Sequence, residues 1–360
     1  MESSPVGILG VGMALPAEVR QNTWWAEELT SRWLQKATRA SAMHGLADSP
    51  RFSTGEQRAM QAMAEAVSDP FQGSRARRVA PPNESSATLE IRAAVAALDR
   101  ARVPPTDVGL VLTHSGAPDF LATNGACAVH HALGLPASTV AIPVEAACNS
   151  FLLQLRIARA FLREGTAKYA LLVQSALGSR LLDFTDAFSP YFGDGASAVV
   201  LGPVPAGFGI VGEAHRTHSD LADNLVVGIR GQRWYDDGRP VLYWEDQASA
   251  SKLLLRIADQ AREVCLAALD DAQVRPEDVS FFAAHQGTSW LRRVVQEHIG
   301  LPRARSLDTF AELGNLSSVN IPVILGRACD QGMLRNGDVV LTFSGGSGVT
   351  VSSFVVKWAA

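Results

Sequence analysis

The sequence contains one cysteine whose surroundings favour a reactive thiolate. Cys148 lies in the segment AACNSF, at the start of a predicted helix. The positive end of a helix dipole stabilises a negative sulfur at such a position, and the two preceding alanines leave room around the thiol. Cys148 is therefore the candidate nucleophile. Small buried hydrophobic residues are expected at the other three cysteines, Cys127, Cys265 and Cys329.

The spacing of the four cysteines argues against the other common uses of thiols. No two of them form a Cys-Xaa-Xaa-Cys pair or a similar short ligand pair, so we predict no metal site. Four cysteines in 360 residues are also too few for a disulfide scaffold. Nucleophilic catalysis is the chemistry that remains for one of them.

An internal repeat predicts which other polar residues lie near this cysteine. Residues 97–116 (ALDRARVPPTDVGLVLTHSG) and residues 268–287 (ALDDAQVRPEDVSFFAAHQG) are identical at ten of twenty positions. Each copy predicts the end of a helix, a turn with proline, and a strand that ends at a histidine, His114 or His285. The two histidines are therefore expected at equivalent places in two similar units.

The repeat continues downstream and divides the chain into two halves. Residues 146–173 align with residues 317–343 after a slip of one residue, and both stretches predict a helix, a glycine turn and a strand. We expect two α/β halves, residues 1–204 and residues 205–360, packed about a pseudo-twofold axis. Strands that alternate with helices predict sheets covered by helices.

The pseudo-twofold arrangement gathers three residues at one place. Cys148 and the Gly314-Asn315 turn lie at equivalent helix starts, and His285 ends a strand of the second half. A thiolate beside two neutral hydrogen-bond donors suits acyl transfer from a thioester, because the donors can stabilise an enolate or oxyanion. A protease-like arrangement, in which Asn315 orients His285, is the alternative. His114 occupies the pseudo-symmetric position and is not expected to be catalytic.

Three further segments could contribute to a binding site, and two of them also have a purely structural interpretation. Residues 23–70 interrupt the α/β alternation with two amphipathic helical patterns, which either cover core or cap a substrate entrance. The segment GSRARR, residues 73–78, is either a solvated loop or a grip on a phosphate-bearing carrier. The glycine-rich FSGGSG, residues 343–348, lacks the spacing of a P-loop and is expected to bring backbone N–H groups close to a small reacting group.

The order and spacing of these motifs resemble the ketosynthase III branch of the thiolase superfamily. The matching stretches run through the whole chain: ILGVGMALP, GSRARRVAPPNESS, APDFLATNGACAVHHALGL, VEAACNSF, YFGDGASAVVLG, AAHQG, GNLSSVNIP and FSGGSGVTVSSFVVKW. The resemblance implies a duplicated, five-layered αβαβα thiolase fold and a homodimer. It also implies condensation of an acyl thioester with a malonyl thioester, carried on coenzyme A or acyl carrier protein.

The resemblance assigns roles to the three gathered residues and to the glycine-rich turn. Cys148 would accept the acyl group, while His285 and Asn315 would bind the carbonyl of the malonyl thioester and promote decarboxylation. The backbone N–H groups of Cys148 and Ser347 would form the oxyanion hole.

The resemblance also assigns the substrate contacts, with some departures from the family pattern. Arg75 and Arg180 match arginines that hold the nucleotide end of coenzyme A, and Phe71 falls where a tryptophan often stacks on adenine. Thr288 replaces an asparagine that is common in the family, and Ala122 stands where a bulky aromatic residue often closes the acyl pocket. These departures predict a larger acyl substrate and a role in polyketide or specialised fatty-acid biosynthesis.

The leading prediction is therefore a ketosynthase III-like acyltransferase that loads Cys148 and then forms a carbon–carbon bond with a malonyl or β-ketoacyl thioester. Acyl transfer to an oxygen or nitrogen acceptor is one alternative. A catalytically silent partner subunit is another, which the intact Cys148 argues against. We expect no cofactor apart from the thioester substrates themselves.

Composition bounds the partners and the location. The net charge of −4 opposes non-specific nucleic-acid binding, which needs a basic surface. No apolar run approaches the roughly 18 residues of a membrane helix. The segment MESSPVGILG lacks the basic start and long apolar run of a signal peptide, so a cytoplasmic location is expected.

Overall fold

Two sheets with a matching order of four strands organise the part of the chain that the structure describes. The computed structural model describes residues 4–40 and 49–359. The strands are β1 (Val6–Ala14), β2 (Glu18–Gln21), β3 (Ala76–Val79), β4 (Val108–Ser115), β5 (Val140–Pro143), β6 (Tyr169–Leu177), β7 (Asp194–Pro203), β8 (Gly209–Thr217), β9 (Leu225–Gly228), β10 (Val241–Trp244), β11 (Phe281–Ala284), β12 (Val339–Gly346) and β13 (Thr350–Lys357). The helices are α1 (Glu27–Ala40), α2 (Thr54–Ala66), α3 (Ser86–Ala101), α4 (Ala126–Ala132), α5 (Ser150–Arg163), α6 (Gln247–Asp271), α7 (Leu291–Ile299), α8 (Phe310–Leu313) and α9 (Asn320–Asp330).

The sheet topology shows the duplication directly. The first sheet has the order β1-β7-β6-β4-β5, and the second has the order β8-β13-β12-β11. Strands β4 and β6 pair in parallel, as do β11 and β12, while β7 and β13 run antiparallel to both of their neighbours. Left-handed backbone recurs at matching places, at Arg102 (φ 54°) after α3 and at Gln273 (φ 53°) after α6. The predicted pseudo-twofold α/β fold is confirmed.

Five layers follow from the way the helices cover the two sheets. Helices α5 and α9 share one hydrophobic core with strands of both sheets, so they form the central layer. Helices α3 and α4 pack on the outer face of the first sheet, and α6 and α7 pack on the outer face of the second. Strands covered on both faces need apolar side chains at almost every position, which explains the fully buried run at Ala170–Leu177.

Helix α2 of the 23–70 segment packs against the second half. Helix α2 begins with a capping box in which Ser53 and Glu56 satisfy each other's backbone N–H groups. Its buried residues Ala59 and Ala62 lie in the hydrophobic core that α6 and α7 share. The N-terminal part of the segment covers core too, because Trp33 is buried and its indole N–H donates to the carbonyl of Thr185 at 2.9 Å. In the described ranges, no helix combines the length and the apolar character needed to cross a membrane.

Candidate active site

The predicted nucleophile lies on a strained turn between β5 and α5. Cys148 is the middle residue of a short 3-10 helix, Ala147–Asn149, that leads directly into α5. Ala147 adopts a left-handed backbone conformation with φ 49°, which a residue with a Cβ rarely takes unless its surroundings impose it. The hydroxyl of Ser344 donates to the carbonyl of Cys148 at 2.8 Å and fixes the turn. The half-buried thiol is thereby held at the wall of a cavity.

The glycine-rich turn predicted from FSGGSG lies directly against this nucleophile turn. A Cβ on Gly346 would collide with the carbonyl oxygen of Ala146, so only glycine allows the two backbones to approach so closely. The next residue, Ser347, lines the same cavity as Cys148. Its hydroxyl donates to the carbonyl of Leu225 at 2.6 Å and therefore points away from the turn. An oxyanion hole built from the backbone N–H groups of Cys148 and Ser347 stays a prediction.

His285 and Cys148 form a charge pair beneath the cavity wall. Burial by itself would raise the pKa of the Cys148 thiol, but the charge and hydrogen bond of His285, with a hydrogen bond from Ser317, hold that pKa below its ordinary value. Burial opposes protonation of His285, yet the sulfur of Cys148 raises the pKa of this imidazole. The hydroxyl of Ser317 lies 3.4 Å from the sulfur and donates to it. The resting site therefore favours a thiolate and an imidazolium.

Asn315 presents an amide donor beside the same histidine. Its side-chain oxygen already accepts the backbone N–H of Ser317 at 2.7 Å, so the Nδ2 group is the part left for a substrate. A Cβ built on Gly287 would lie 3.1 Å from Nε2 of His285 and 3.8 Å from Nδ2 of Asn315. These two nitrogens therefore face one small space next to Gly287. Such a pair of converging donors suits stabilisation of an oxyanion or enolate.

A cavity of about 1380 Å³ opens next to the cysteine. It exceeds the roughly 300–1,000 Å³ of ordinary small-molecule pockets. Its wall includes Cys148 and Asn315, and among the described residues that line it are the apolar side chains Leu121, Leu153, Leu177, Leu181, Leu225 and Trp234. The arginines Arg180 and Arg239 also line it. The site thus combines a long apolar space with positive charge.

The structure separates the predicted substrate contacts into two groups. Ala122 and Arg180 line the cavity, and the guanidinium of Arg180 donates to the carbonyl of Pro81 at 2.7 Å. Phe71 lies in an aromatic cluster instead, with its ring centroid 6.0 Å from that of Trp25.

Two further predicted contacts lie outside this cavity. The backbone N–H of Arg75 donates to the carbonyl of Ala311 at 2.9 Å. The hydroxyl of Thr288 is buried without a hydrogen-bond partner. The substrate contacts assigned to Phe71, Arg75 and Thr288 stay predictions.

The functional interpretation of the GSRARR segment is wrong for its middle arginine. Arg77 is only 1% exposed, and its guanidinium donates to the carbonyls of Pro190 and Arg20 and to the side chains of Asn22 and Ser74. A guanidinium with this many protein acceptors holds the chain together and is unavailable to a carrier. Burial accordingly lowers the pKa of Arg77 to about 10.

The capping interpretation of residues 23–70 is also not what the structure shows. None of the described residues of this segment lines the cavity, because α2 packs on α6 and α7 at the far side of the second sheet. The segment covers core, which was the structural alternative.

Sequence reasoning missed several residues of the site. Glu145 and His114 both line the cavity, and Nδ1 of His114 lies 3.2 Å from Oε2 of Glu145. Ser317 and Ser344 contact Cys148 from the second half of the chain. The repeat was the available signal for His114, the copy of His285, whereas its offset of 171 residues places Glu145 opposite Leu316.

Comparisons with known proteins agree with this geometry. The family of 3-oxoacyl-[acyl-carrier-protein] synthase III matches residues 142–219, and the C-terminal family of the same synthase matches residues 269–358. The solved 3-oxoacyl-[acyl-carrier-protein] synthase III of Aquifex aeolicus is 24% identical with a TM-score of 0.78, covering 98% of this chain and 100% of its own. The corresponding enzyme of Thermus thermophilus is 26% identical with a TM-score of 0.77, covering 98% and 99%.

A third similar structure extends the comparison to a different enzyme. OleA of Xanthomonas campestris, solved with lauric acid and lauroyl-CoA bound, is 20% identical with a TM-score of 0.77, covering 98% of this chain and 99% of its own. Both halves of this chain thus match, at the nucleophile turn and at the histidine and asparagine turns. The chain belongs to the ketosynthase III branch of the thiolase superfamily, a family of acyl-transferring condensing enzymes.

Proposed function

We propose that the protein loads an acyl group from an acyl thioester onto Cys148. The observation that carries this proposal is the position of Cys148, on a turn at the wall of a large, mainly apolar cavity and with the Ser317 hydroxyl donating to its sulfur. The thiolate attacks the thioester carbonyl, the C–S bond of the donor breaks, and His285 gives its proton to the departing thiol. Backbone N–H groups of Cys148 and Ser347 would stabilise the intermediate oxyanion.

The second half-reaction in this proposal is a Claisen condensation. A carbon nucleophile derived from a malonyl or β-ketoacyl thioester attacks the acyl carbonyl, and Cys148 leaves as the thiolate. Nδ2 of Asn315 and Nε2 of His285 face the same small space and would stabilise the enolate oxygen. Neither half-reaction needs a bound cofactor.

The size of the cavity supports an acyl chain longer than a short primer. Its volume of about 1380 Å³ has room beyond the reacting groups, and Ala122 lies on its wall where a larger side chain would occupy space. OleA, whose structure contains lauric acid and lauroyl-CoA, is a precedent for a twelve-carbon acyl chain on this fold. We propose a medium or long acyl group as the substrate.

The donor in this proposal is a phosphopantetheine thioester, on either coenzyme A or acyl carrier protein. Arg180 and Arg239 supply positive charge at the cavity, and Trp234 offers an exposed aromatic face there. Arginine and an aromatic ring suit a phosphate and the arm attached to it. A role in polyketide or specialised fatty-acid biosynthesis follows from this substrate class.

We also propose that the protein is a homodimer. Strand β5 is the edge strand of the first sheet, and it exposes Val140 and Ile142. Phe120 and Leu121, in the neighbouring loop, are each 73% exposed. An edge strand with exposed apolar residues beside it is a surface that natural proteins usually cover. Sedimentation of the purified protein would test this proposal, and a monomer at micromolar concentration would contradict it.

Intact-protein mass spectrometry tests the loading step. The wild type should gain one acyl mass after incubation with octanoyl-CoA, and Cys148→Ala should gain none. Alanine variants of the remaining cysteines serve as matched controls and should acylate normally: Cys127, Cys265 and Cys329. If the protein were a catalytically silent partner subunit, the wild type itself would gain no acyl mass. Acylation that persists in Cys148→Ala would refute the assignment of the nucleophile.

A further inference from the structure

The cavity contains a second histidine that the proposed reaction has not used. His114, at the end of β4, has a side chain only 2% exposed, and its Nδ1 lies 3.2 Å from Oε2 of Glu145. Both ring nitrogens are buried without a geometric hydrogen bond, and only Nδ1 has the Glu145 oxygen beside it. Both residues line the cavity together with Cys148. A buried imidazole nitrogen without a partner is costly, and such groups are often kept for a substrate.

Glu145 is the pseudo-symmetric counterpart of Asn315. One oxygen of Glu145 accepts the backbone N–H of Ala147 at 2.7 Å, and the oxygen of Asn315 accepts the backbone N–H of Ser317 at 2.7 Å. Ala147 and Ser317 are both left-handed, with φ of 49° and 53°. The 3-10 helices Ala147–Asn149 and Ser317–Val319 begin two residues after Glu145 and Asn315, respectively. The fold therefore holds the carboxylate of Glu145 as it holds the amide of Asn315.

The equivalence extends through the two turns. The hydroxyl of Ser150 accepts the backbone N–H of Ala146 at 2.8 Å, and the side-chain oxygen of Asn320 accepts that of Leu316 at 3.2 Å. The two 3-10 helices that carry these turns, Ala147–Asn149 and Ser317–Val319, pack against each other. The cysteine therefore lies between two related pairs, a histidine with an asparagine and a histidine with a glutamate.

The difference between these pairs is chemical. Asn315 is neutral and donates, whereas Glu145 is a carboxylate. Partial desolvation opposes its charge, but His114 and the N–H of Ala147 hold the pKa of Glu145 below its ordinary value. A carboxylate against one ring nitrogen of histidine stabilises the imidazolium and orients the other nitrogen as a base. The pair of His114 and Glu145 thus places a carboxylate behind one ring nitrogen of an imidazole that lines the cavity.

We propose that His114 is the general base of the second half-reaction, that Glu145 is its positioning residue, and that the acceptor is a β-ketoacyl thioester. This inference rests on the proposed acylation of Cys148. In the step, a C–H bond between the two carbonyls of the acceptor breaks and its proton goes to Nε2 of His114. The electron pair forms a bond to the acyl carbon, and the C–S bond to Cys148 breaks. The sulfur leaves as a thiolate, and the proton on His114 returns to solvent.

The carboxylate of Glu145 favours this acceptor over a malonyl thioester. A malonyl group becomes nucleophilic by losing carbon dioxide, so it needs no base. It also carries a carboxylate, and the side chain of Glu145, 74% exposed, would repel it in the same cavity. A methylene between two carbonyls keeps its proton until a base removes it. The donors on His285 and Asn315 would then hold the resulting enolate, a task that a hydroxyl or amine acceptor would not require.

The experiment measures discharge of an isolated acyl-enzyme by three acceptors. Octanoyl-enzyme is mixed with saturating acetoacetyl-CoA, malonyl-CoA or ethanolamine, and loss of the acyl mass, product mass and carbon dioxide are followed. The wild type should be discharged by acetoacetyl-CoA without release of carbon dioxide. Glu145→Gln keeps an oxygen for the N–H of Ala147, and it replaces the charged oxygen that faces Nδ1 of His114 with an amide N–H donor. Glu145→Gln and His114→Gln should each slow this discharge on the order of 10²-fold, with acylation unchanged.

A second carboxylate on the cavity wall supplies the matched control. Asp119 lines the cavity and accepts the backbone N–H of Ser86 at 3.1 Å, so Asp119→Asn removes one negative charge from the same space. Its discharge by acetoacetyl-CoA should match the wild type. An equal loss in Asp119→Asn would show a general effect of charge and overturn the assignment of the base.

The outcomes separate this inference from the proposed function. Discharge by malonyl-CoA with carbon dioxide, and none by acetoacetyl-CoA, would overturn the inference and leave the proposed condensation standing. Discharge by ethanolamine alone would overturn the proposal that the acceptor reacts through carbon. If discharge by acetoacetyl-CoA were unchanged in both Glu145→Gln and His114→Gln, the assignment of His114 as the general base would be wrong. A wild type that gains no acyl mass would instead refute the proposed function itself.

Discussion

Asn315 offers a direct test of how the two half-reactions are divided. Its side chain does two things at once: the oxygen accepts the N–H of Ser317 at 2.7 Å, and Nδ2 faces the space next to Gly287. Ser317 in turn donates to the sulfur of Cys148 at 3.4 Å. An alanine at this position removes both functions, whereas aspartate keeps an acceptor for Ser317 and exchanges the donor for a negatively charged oxygen. Comparison of Asn315→Ala with Asn315→Asp therefore distinguishes the loss of the hydrogen bond to Ser317 from the loss of the Nδ2 donor.

The expected magnitudes follow from these contacts. Loss of one preorganised donor to an oxyanion costs about 2.7–4 kcal/mol, or on the order of 10²–10³ in rate. Loss of the hydrogen bond to Ser317 costs about 0.5–1.5 kcal/mol of stability. Asn315→Ala should therefore lose condensation and some stability, while Asn315→Asp should lose condensation to a similar extent and melt close to the wild type.

The assay compares acylation with discharge in the same preparation. Stopped-flow mixing with octanoyl-CoA gives the acylation rate, and a second mix with the acceptor gives the condensation rate. Acylation should persist in both variants, because the charge pair of Cys148 and His285 does not involve Nδ2 of Asn315. Acylation that falls as far as condensation in Asn315→Ala, which adds no charge, would refute the reasoning.

The remaining predictions concern the thiolate, the cavity and a buried carboxyl group. Because His285 holds the pKa of Cys148 low, iodoacetamide should alkylate Cys148 below the usual pH range of thiols, and His285→Ala should shift that alkylation profile to higher pH; an unshifted profile would contradict the charge pair. Ala122→Phe should shorten the longest acyl chain accepted in a mass-spectrometric chain-length series while acetyl loading persists, and an unchanged series would show that Ala122 does not bound the chain. Burial raises the pKa of Glu90 from 4.5 to about 7, so its ionisation destabilises the folded state as pH rises through this window, and Glu90→Gln should gain up to about 3 kcal/mol at pH 8 but little at pH 4.5. Equal melting-temperature changes at both pH values would contradict this origin.

Local patterns and the internal repeat predicted the fold class, which is confirmed, and the three candidate catalytic residues. The repeat shows two copies of one α/β unit, and the matching order of four strands in each sheet follows from that duplication. The segment AACNSF places Cys148 at a helix start, and the repeat directs His285 and Asn315 towards it. These inferences needed only periodicity, turn residues and symmetry.

The same local signals gave no information about which polar side chains are buried. Arg77 looks like a surface charge in GSRARR, yet it fills a pocket of carbonyls and side-chain oxygens supplied by segments up to 113 residues away. Helix α2 looks equally suited to a cap or a core, and only its packing on α6 and α7 decided between them. Burial depends on contacts between distant segments, which an amphipathic pattern does not specify.

Only the tertiary structure showed that His114 pairs with Glu145 at the cavity. The sequence identifies His114 as a copy of His285 but gives no sign that its Nε2 lacks a partner or that Glu145 lies 3.2 Å from its other nitrogen. Those facts depend on how β4, the turn before Cys148 and the cavity meet in space. The sequence does not show the role of a pseudo-symmetric histidine, because its neighbours determine its chemistry. Those neighbours are determined by the tertiary structure.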